Sequence, residues 1–207
     1  MLKIIVGAIR FSFVTWLLCG LAYPLAVTGL AQVFLPFQAN GSLERRPDHT
    51  VLGSALIGEQ WDGPRWFHGR LSAITLTDPN DPAKTLAAPY NAANSGGSNL
   101  GPTSESLQQR LSADRKALER AQPELRGRPL PADMLTSSAS GLDPDISLAN
   151  AMLQASRVAK ARGVSSEEVR RIVARHTQGR QWGIFGEARV NVLELNMDLD
   201  NRFPVKP

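Results

Sequence analysis

Cysteine is almost missing from this sequence. The single one, Cys19, lies inside an apolar run, so the rest of the chain can form no disulfide and offers no thiol nucleophile. Histidine is scarce too. His49, His68 and His176 stand far apart, and no HExxH or Cys/His pair marks a metal site. Walker-type phosphate loops, a GxGxxG after a strand and a GxSxG elbow are all missing, which removes the commonest nucleotide and hydrolase signatures. Charge of one sign is missing as well: 23 Lys+Arg stand against 19 Asp+Glu, a net of +4. With no dense basic run, the chain offers no face for nucleic acid. Serines are plentiful and a Ser/His/Asp set can be assembled on paper, but no spacing favours one. An anchored hydrolase stays open only as an alternative. The residues single out no catalytic side chain and no metal ligand.

What is present is a long hydrophobic run. Phe11–Leu35 holds no charged side chain. As a helix it rises roughly 37 Å, enough to cross a hydrocarbon core of about 30 Å with some tilt. Backbone polar groups cannot cross lipid unpaired, so the segment is expected to be helical, with a kink at Pro24. A cleaved signal peptide, cut near Gly29-Leu30-Ala31, is the alternative, but the run exceeds the roughly 7–15 apolar residues of a signal. Lys3, Arg10 and the amino terminus precede it, and no charge follows before Glu44, Arg45 and Arg46. Positive charge stays inside. This predicts a cytoplasmic N-terminus (1–10), a transmembrane helix (11–35), a linker (36–52) and an outer soluble domain (53–207). Ser12, Thr15, Cys19, Ala22, Ala26 and Gly29 recur at alternating steps of three and four residues, which puts small side chains on one stripe. A packing seam for a partner helix is the expectation; the alternative is the general abundance of small residues in membrane spans.

Beyond the linker, where Asn40-Gly41 and Pro47 act as breakers, the chain reads as one α+β domain. A short strand is expected near Ala55–Trp61, followed by a mostly irregular stretch from Asp62 to Asn99 that is dense in Pro, Gly, Asn and Asp. Three helices come next. The first is capped by Thr103 or Ser104, buries Leu107, Leu111 and Leu118, and stops at Pro123. The second runs from Ser147 to a C′ glycine at Gly163. The third opens on the capping box Ser165-Ser166-Glu167-Glu168 and buries Val169, Ile172 and Val173. Leu193, Leu195, Met197 and Leu199 alternate with Glu194, Asn196, Asp198 and Asp200, which reads as a final strand.

Four stretches stand out: Trp66-Phe67-His68-Gly69-Arg70; Tyr90-Asn91-Ala92-Ala93-Asn94-Ser95-Gly96-Gly97-Ser98-Asn99-Leu100-Gly101-Pro102; Ser138-Ala139-Ser140-Gly141-Leu142-Asp143-Pro144-Asp145-Ile146-Ser147; and His176-Thr177 with Gly186-Glu187-Ala188-Arg189-Val190-Asn191-Val192-Leu193 and Leu195-Asn196. In this order, behind one N-terminal span, they resemble the small C subunit of the bacterial Kdp potassium-transporting ATPase complex. The likeness runs from the span to Asp200; Ala188 stands where the family usually has proline.

The resemblance implies a single-pass subunit of the bacterial inner membrane with a periplasmic domain. Its partners would be a P-type ATPase subunit and a potassium-binding, channel-like subunit. K+ would be the transported ion, with ATP and Mg2+ engaged by the complex and no covalently bound cofactor. The subunit would be non-catalytic and needed for assembly and activity. In the alternative it is a catalytic chaperone that binds ATP and raises the ATP affinity of the ATPase subunit. That alternative places nucleotide at Ser95, Gly96, Gly97, Ser98 and Asn99, because Ser-Gly-Gly-Ser is similar to the signature loop of ABC transporters. Glycines there give the backbone freedom to turn N–H groups toward an anion. The reading preferred on the residues alone is that these glycines serve a tight turn that presents Tyr90, Asn91 and Asn99 to neighbours, with a place near the potassium entrance as a further alternative. Flanking charge puts the loop outside, away from ATP. Asp143-Pro144-Asp145 reads as a turn before a helix cap, with a cation role as the alternative. His68 reads as a hydrogen-bonded structural residue.

Overall fold

The computed structural model describes residues 1–46 and 48–204; Pro47, read above as a breaker, lies outside them. The chain divides into two compact units, Met1–Leu52 and Gly53 onward.

The first unit is dominated by one helix. α1 (Leu2–Leu17), a π-helical turn (Leu18–Ala22) and α2 (Tyr23–Phe34) run on without a break. Among the described residues this is the one helix long and apolar enough to cross a membrane, with mean hydropathy 2.0. It starts earlier than the sequence suggests, because Lys3 and Arg10 sit at helical positions rather than ahead of the helix. The π turn has a local cause. A proline ring clashes with the carbonyl one helical turn back, and Pro24 carries no N–H. Tyr23 N–H reaches back to the Leu18 carbonyl, which widens the turn ahead of the proline. A short helix α3 (Pro36–Ala39) and strand β1 (Leu43–Arg45) follow, and β1 pairs with β2 (Val51–Ser54). The linker is therefore partly ordered. The strand expected at Ala55–Trp61 lies earlier in the chain, since a turn begins at Ala55.

In the second unit the stretch expected to be irregular contains an antiparallel hairpin, β3 (Thr75–Asp78) and β4 (Asp81–Ala87), in register Thr75↔Ala87 and Thr77↔Thr85. Asp78 accepts the Asn80 N–H at 2.8 Å and closes its turn. The amphipathic helix α4 (Glu105–Ala121) buries no residue; its leucine stripe is half-exposed, and Ser104 holds the N-cap place without a side-chain hydrogen bond.

The core lies farther on. β5 (Asp145–Ser147) leads into α5 (Leu148–Arg162), then α6 (Ser166–Arg175), β6 (Thr177–Gln178), β7 (Arg189–Asn191) and α7 (Val192–Arg202). β7 is the centre of an antiparallel sheet ordered β5-β7-β6, with Ile146 opposite Val190 and Thr177 opposite the same residue. Ala151, Ala155, Val158 and Ala159 from α5 meet Val169, Ile172 and Val173 from α6, and Leu195 and Leu199 from α7 close the cluster. The caps are those the sequence announces: Ser147 accepts Asn150 N–H, Ser165 accepts Glu168 N–H, and Gly163 ends α5 at φ +68°.

The alternation over Leu193–Asp200 belongs to α7, not to a strand. Val192, Leu195, Asn196 and Leu199 are all buried, and their spacing of three, one and three is helical. Arg189 to Asn191 already spend the strand and the cap, with Asn191 accepting Glu194 N–H. Arg162, whose side chain is fully buried, holds the far end of α7. Its guanidinium lies 4.6 Å from the Trp66 ring centre and donates to the carbonyls of Arg65 at 2.9 Å and Phe203 at 3.0 Å.

Candidate functional site

The first motif is held by amides. Phe67 is fully buried. Its N–H donates to Asn196 Oδ1 and its carbonyl accepts from Asn196 Nδ2, both at 2.9 Å. Gln154 does the same for His68, accepting its N–H at 2.9 Å and donating to its carbonyl at 3.0 Å. The relay continues from Gln154 Nε2 to Asn150 Oδ1 at 2.8 Å and from Asn150 Nδ2 to Asp133 at 3.0 Å. Asp133 also takes Ser147 N–H at 2.8 Å and Ser147 Oγ–H at 3.0 Å. Side-chain amides thus stand in for a neighbouring strand, and buried backbone groups are satisfied across long sequence separations. The His68 ring donates from Nε2 to the Gly63 carbonyl at 2.9 Å. Burial, reinforced by nearby Arg157, pushes its pKa below the usual histidine value.

The second and third motifs lie against each other. Ser140 O accepts Gly96 N–H at 2.8 Å and Ser95 Oγ–H at 3.0 Å. Gly96 and Gly97 do not adopt the left-handed region; Asn99 does, at φ +53°. Gly97 is needed for a different reason than backbone freedom. A Cβ there would stand 2.7 Å from the Ala139 carbonyl oxygen, so the loop requires a bare backbone to close on its neighbour. Gly141 is constrained twice. Its φ is +69°, and a Cβ there would meet Ile74 Cγ1 at 2.5 Å and the Gly96 carbonyl oxygen at 2.7 Å.

The third motif also meets the first and fourth. Arg70 pairs with Asp143 at 3.0 Å and reaches Thr136 Oγ1 and the Ser137 carbonyl at 3.4 Å. Tyr90, at φ +60°, donates its hydroxyl to the Arg70 carbonyl. Burial, with the Asp143 charge adding to it, pushes the phenol up to about 12, so it stays a donor at any physiological pH. Asp143 accepts Asp145 N–H at 3.0 Å, the turn expected from Asp-Pro-Asp. Asp145 pairs with Arg189 at 2.9 Å; burial raises its pKa, Arg189 opposes and Asp143 assists. Arg70, Asp143, Asp145 and Arg189, with Asp133 and Glu187, line an open cleft of about 630 Å³. Its carboxylates are each engaged by arginine, backbone or hydroxyl partners. Among the described residues no cluster of three or more His, Cys, Asp or Glu is placed to hold a metal ion.

The small residues of the helix fall on both sides of the π turn: Ser12 and Thr15 in α1, Cys19 and Ala22 within the turn, Ala26 and Gly29 in α2. All but one of the residues of this helix are exposed, and none is buried. The wide turn carries one residue more than an α turn, so the helix beyond it is rotated by about 100° from a regular continuation. Ala26 and Gly29 are displaced around the axis from Ser12 and Thr15.

The structure therefore joins the motifs of the domain, Tyr90 and Ser95–Gly97 among them, through Arg70, Ser140 and Asp143. Sequence reasoning passes over Asp133, Asn150 and Gln154, which with Asn196 hold the first motif in place. Asn196 is visible there as a motif residue and as a polar position in an alternating pattern, but not as the partner of Phe67. A buried amide leaves no sequence signal until its distant backbone partner is known.

A family model described as "K+-transporting ATPase, c chain", KdpC, matches residues 5–201. A protein of Rhodopseudomonas palustris (strain TIE-1) named potassium-transporting ATPase KdpC subunit is 52% identical over 99% of this chain and 100% of its own length. Its namesake from Methylobacterium nodulans is 56% identical over 89% of this chain and 90% of its own. That of Bradyrhizobium diazoefficiens is 52% identical over 97% and 98%. Matched at this identity over nearly its whole length, by motifs that the fold draws together, the chain belongs to the KdpC family of potassium-transporting ATPase subunits.

Proposed function

We propose that this chain is the non-catalytic accessory subunit of an ATP-driven potassium importer, needed for assembly and activity. Its partners are the P-type ATPase subunit, which uses ATP and Mg2+, and the channel-like subunit that binds K+. The apolar helix spans the inner membrane with its N-terminus in the cytoplasm and packs on partner helices through Ser12 and Thr15 on one side of the π turn and Ala26 and Gly29 on the other. Two offset small-residue faces suit two neighbouring helices. The domain from Gly53 onward lies on the periplasmic side, as Lys3 and Arg10 favour.

The observation that carries this reading over nucleotide binding is the closed state of the Ser95–Asn99 loop. Gly96 N–H and the Ser95 hydroxyl are spent on Ser140, Gly97 abuts Ala139, and the loop contains no lysine or arginine. A phosphate would have to break this packing with no cation in the loop to compensate. An influence on ATP affinity then travels as a coupling between subunits. Titration calorimetry of the full chain in detergent with ATP, with and without Mg2+, tests it. We expect no binding tighter than millimolar. A micromolar Kd that Gly97→Val abolishes in a chain still folded by circular dichroism supports the nucleotide reading instead. A reporter that works only in the periplasm, fused after Pro207, is expected to be active; activity of a cytoplasm-only reporter there reverses the topology.

A further inference from the structure

Between β6 and β7 the chain turns through Trp182-Gly183-Ile184-Phe185. Trp182 is 89% exposed, Ile184 71% and Phe185 57%, the densest exposed apolar patch among the described residues of the domain. The tip is built, not loose. Gln181 N–H donates to Phe185 O at 2.9 Å, Phe185 N–H returns to Gln181 O at 3.0 Å, and Gly183 N–H bonds Arg180 O at 3.1 Å. At its base Arg180 grips both carboxylate oxygens of Glu187, at 2.7 and 2.9 Å. The Trp182 and Phe185 rings meet edge to face, 6.0 Å between centres. Trp182 takes φ +51°, a region that bulky side chains avoid and that a structure holds only with cause.

We propose that this tip inserts into the interfacial layer of the lipid bilayer and rests the domain on the membrane that anchors it. The proposal depends on the reading that helix 2–34 spans that membrane. Three observations favour lipid as the occupant. Only residues 35–52 separate the end of the helix from the domain; even fully extended they reach no more than roughly 65 Å, so a bilayer surface is always at high effective concentration. The tip combines Trp, Phe and Ile with a polar collar of Arg180, Gln181 and Glu187, the composition that settles at a membrane–water boundary. Three side chains are also far too few for a protein interface, which needs about 800 Å² from each partner, but they suffice for an anchor already tethered. Because Glu187 neutralises Arg180, the tip needs no anionic lipid and its insertion withstands salt.

The test uses the full chain in phosphatidylcholine vesicles. In a Cys19→Ala background, single cysteines at Ile184 and, as a solvent-exposed control on α4, at Gln109 carry nitroxide labels. Wild-type protein labelled at Cys19 reports the span itself. Paramagnetic collision is measured with oxygen, which enters lipid, and with a nickel chelate, which does not. We expect the Ile184→Cys label to lose nickel collisions and gain oxygen collisions relative to Gln109→Cys, with no change at high salt. Equal nickel access at both sites while Cys19 remains lipid-shielded overturns the proposal and leaves the span intact; a water-exposed Cys19 overturns the span as well. Shielding at position 184 that arises only with the partner subunits assigns the tip to protein and overturns it too. Independently, brominated phosphatidylcholine should quench the part of tryptophan emission that Trp182→Phe removes. Quenching unchanged by that substitution counts against insertion.

Discussion

Apolar side chains meet opposite fates in the two units. In the helix 2–34, Phe11 is 74% exposed, Trp16 65% and Leu25 63%, and no residue is buried. In the domain, Phe67, Leu195 and Leu199 are fully buried. The helix satisfies its backbone internally and turns its apolar side chains outward, as the proposed span among lipid and partner helices requires. The domain carries its own core, at about 1.5–3 kcal/mol for each large side chain removed from water. Substitutions in the domain should therefore register as loss of folding, and substitutions in the helix as loss of assembly.

The largest effect on folding is expected at the amide clamp. Asn196→Leu keeps the branched four-atom shape but strips Phe67 of both backbone partners inside the core. Each buried polar group left unpaired costs about 1–3 kcal/mol, so a loss of about 3 kcal/mol is expected in denaturant unfolding. A loss below about 1 kcal/mol would mean the clamp is incidental and that Phe67 is held by packing alone.

Next comes the Ser95–Asn99 loop, where backbone and hydroxyl can be separated. Gly97→Val drives a side chain into the Ala139 carbonyl and should cost about 2–3 kcal/mol, in the range of overpacked cores. Ser95→Ala removes one exposed hydrogen bond to Ser140 and should cost about 1 kcal/mol or less. The reverse order of midpoints would show that the hydroxyls, not the close approach, hold the loop.

Much of the helical framework is legible in the sequence because its signals are local. Ser147, Ser165 and Gly163 cap the helices they are expected to cap. α7 reads wrongly as a strand because Leu193, Leu195, Met197 and Leu199 satisfy a period of two over a window too short to exclude a helix. The deciding residues, Val192 and Asn196, answer to partners elsewhere in the chain. The hairpin β3–β4 escapes the sequence for a related reason. Its strands are almost wholly exposed, so no buried face imprints alternation on them. The loop cluster is legible as motifs but not as an arrangement, since the contacts of Arg70 with Asp143 and of Ser95 with Ser140 join distant segments.

A smaller effect follows from His68. Its folded pKa lies below the ordinary histidine value of 6.5, first through burial and then through Arg157. The unfolded chain therefore binds the proton more readily. The contribution is fully present above pH 6.5 and is lost as the pH falls through the folded value. His68→Asn should flatten the stability profile between about pH 7 and pH 5 relative to wild type. Parallel profiles would mean that His68 stays solvated enough to charge freely.

The smallest effect on folding, and the one that sharpens the contrast most, is expected in the helix. Ala22→Leu and Ala26→Leu add bulk at positions that none of the described residues buries, so domain unfolding should stay within about 0.5 kcal/mol of wild type. Recovery of the partner subunits by affinity purification should fall, because a leucine holds two helix backbones apart where a small residue lets them meet. Leu21→Ala, which only reduces bulk, should leave recovery unchanged. The π turn adds a finer expectation. Since it rotates α2 by about 100° from a regular continuation of α1, Thr15→Leu and Ala26→Leu should loosen different neighbours, seen as loss of different subunits from the purified complex. Loss of the same subunit from both variants would mean that one partner helix follows the offset, and full recovery of the complex from every variant would leave this helix as a tether held by lipid alone.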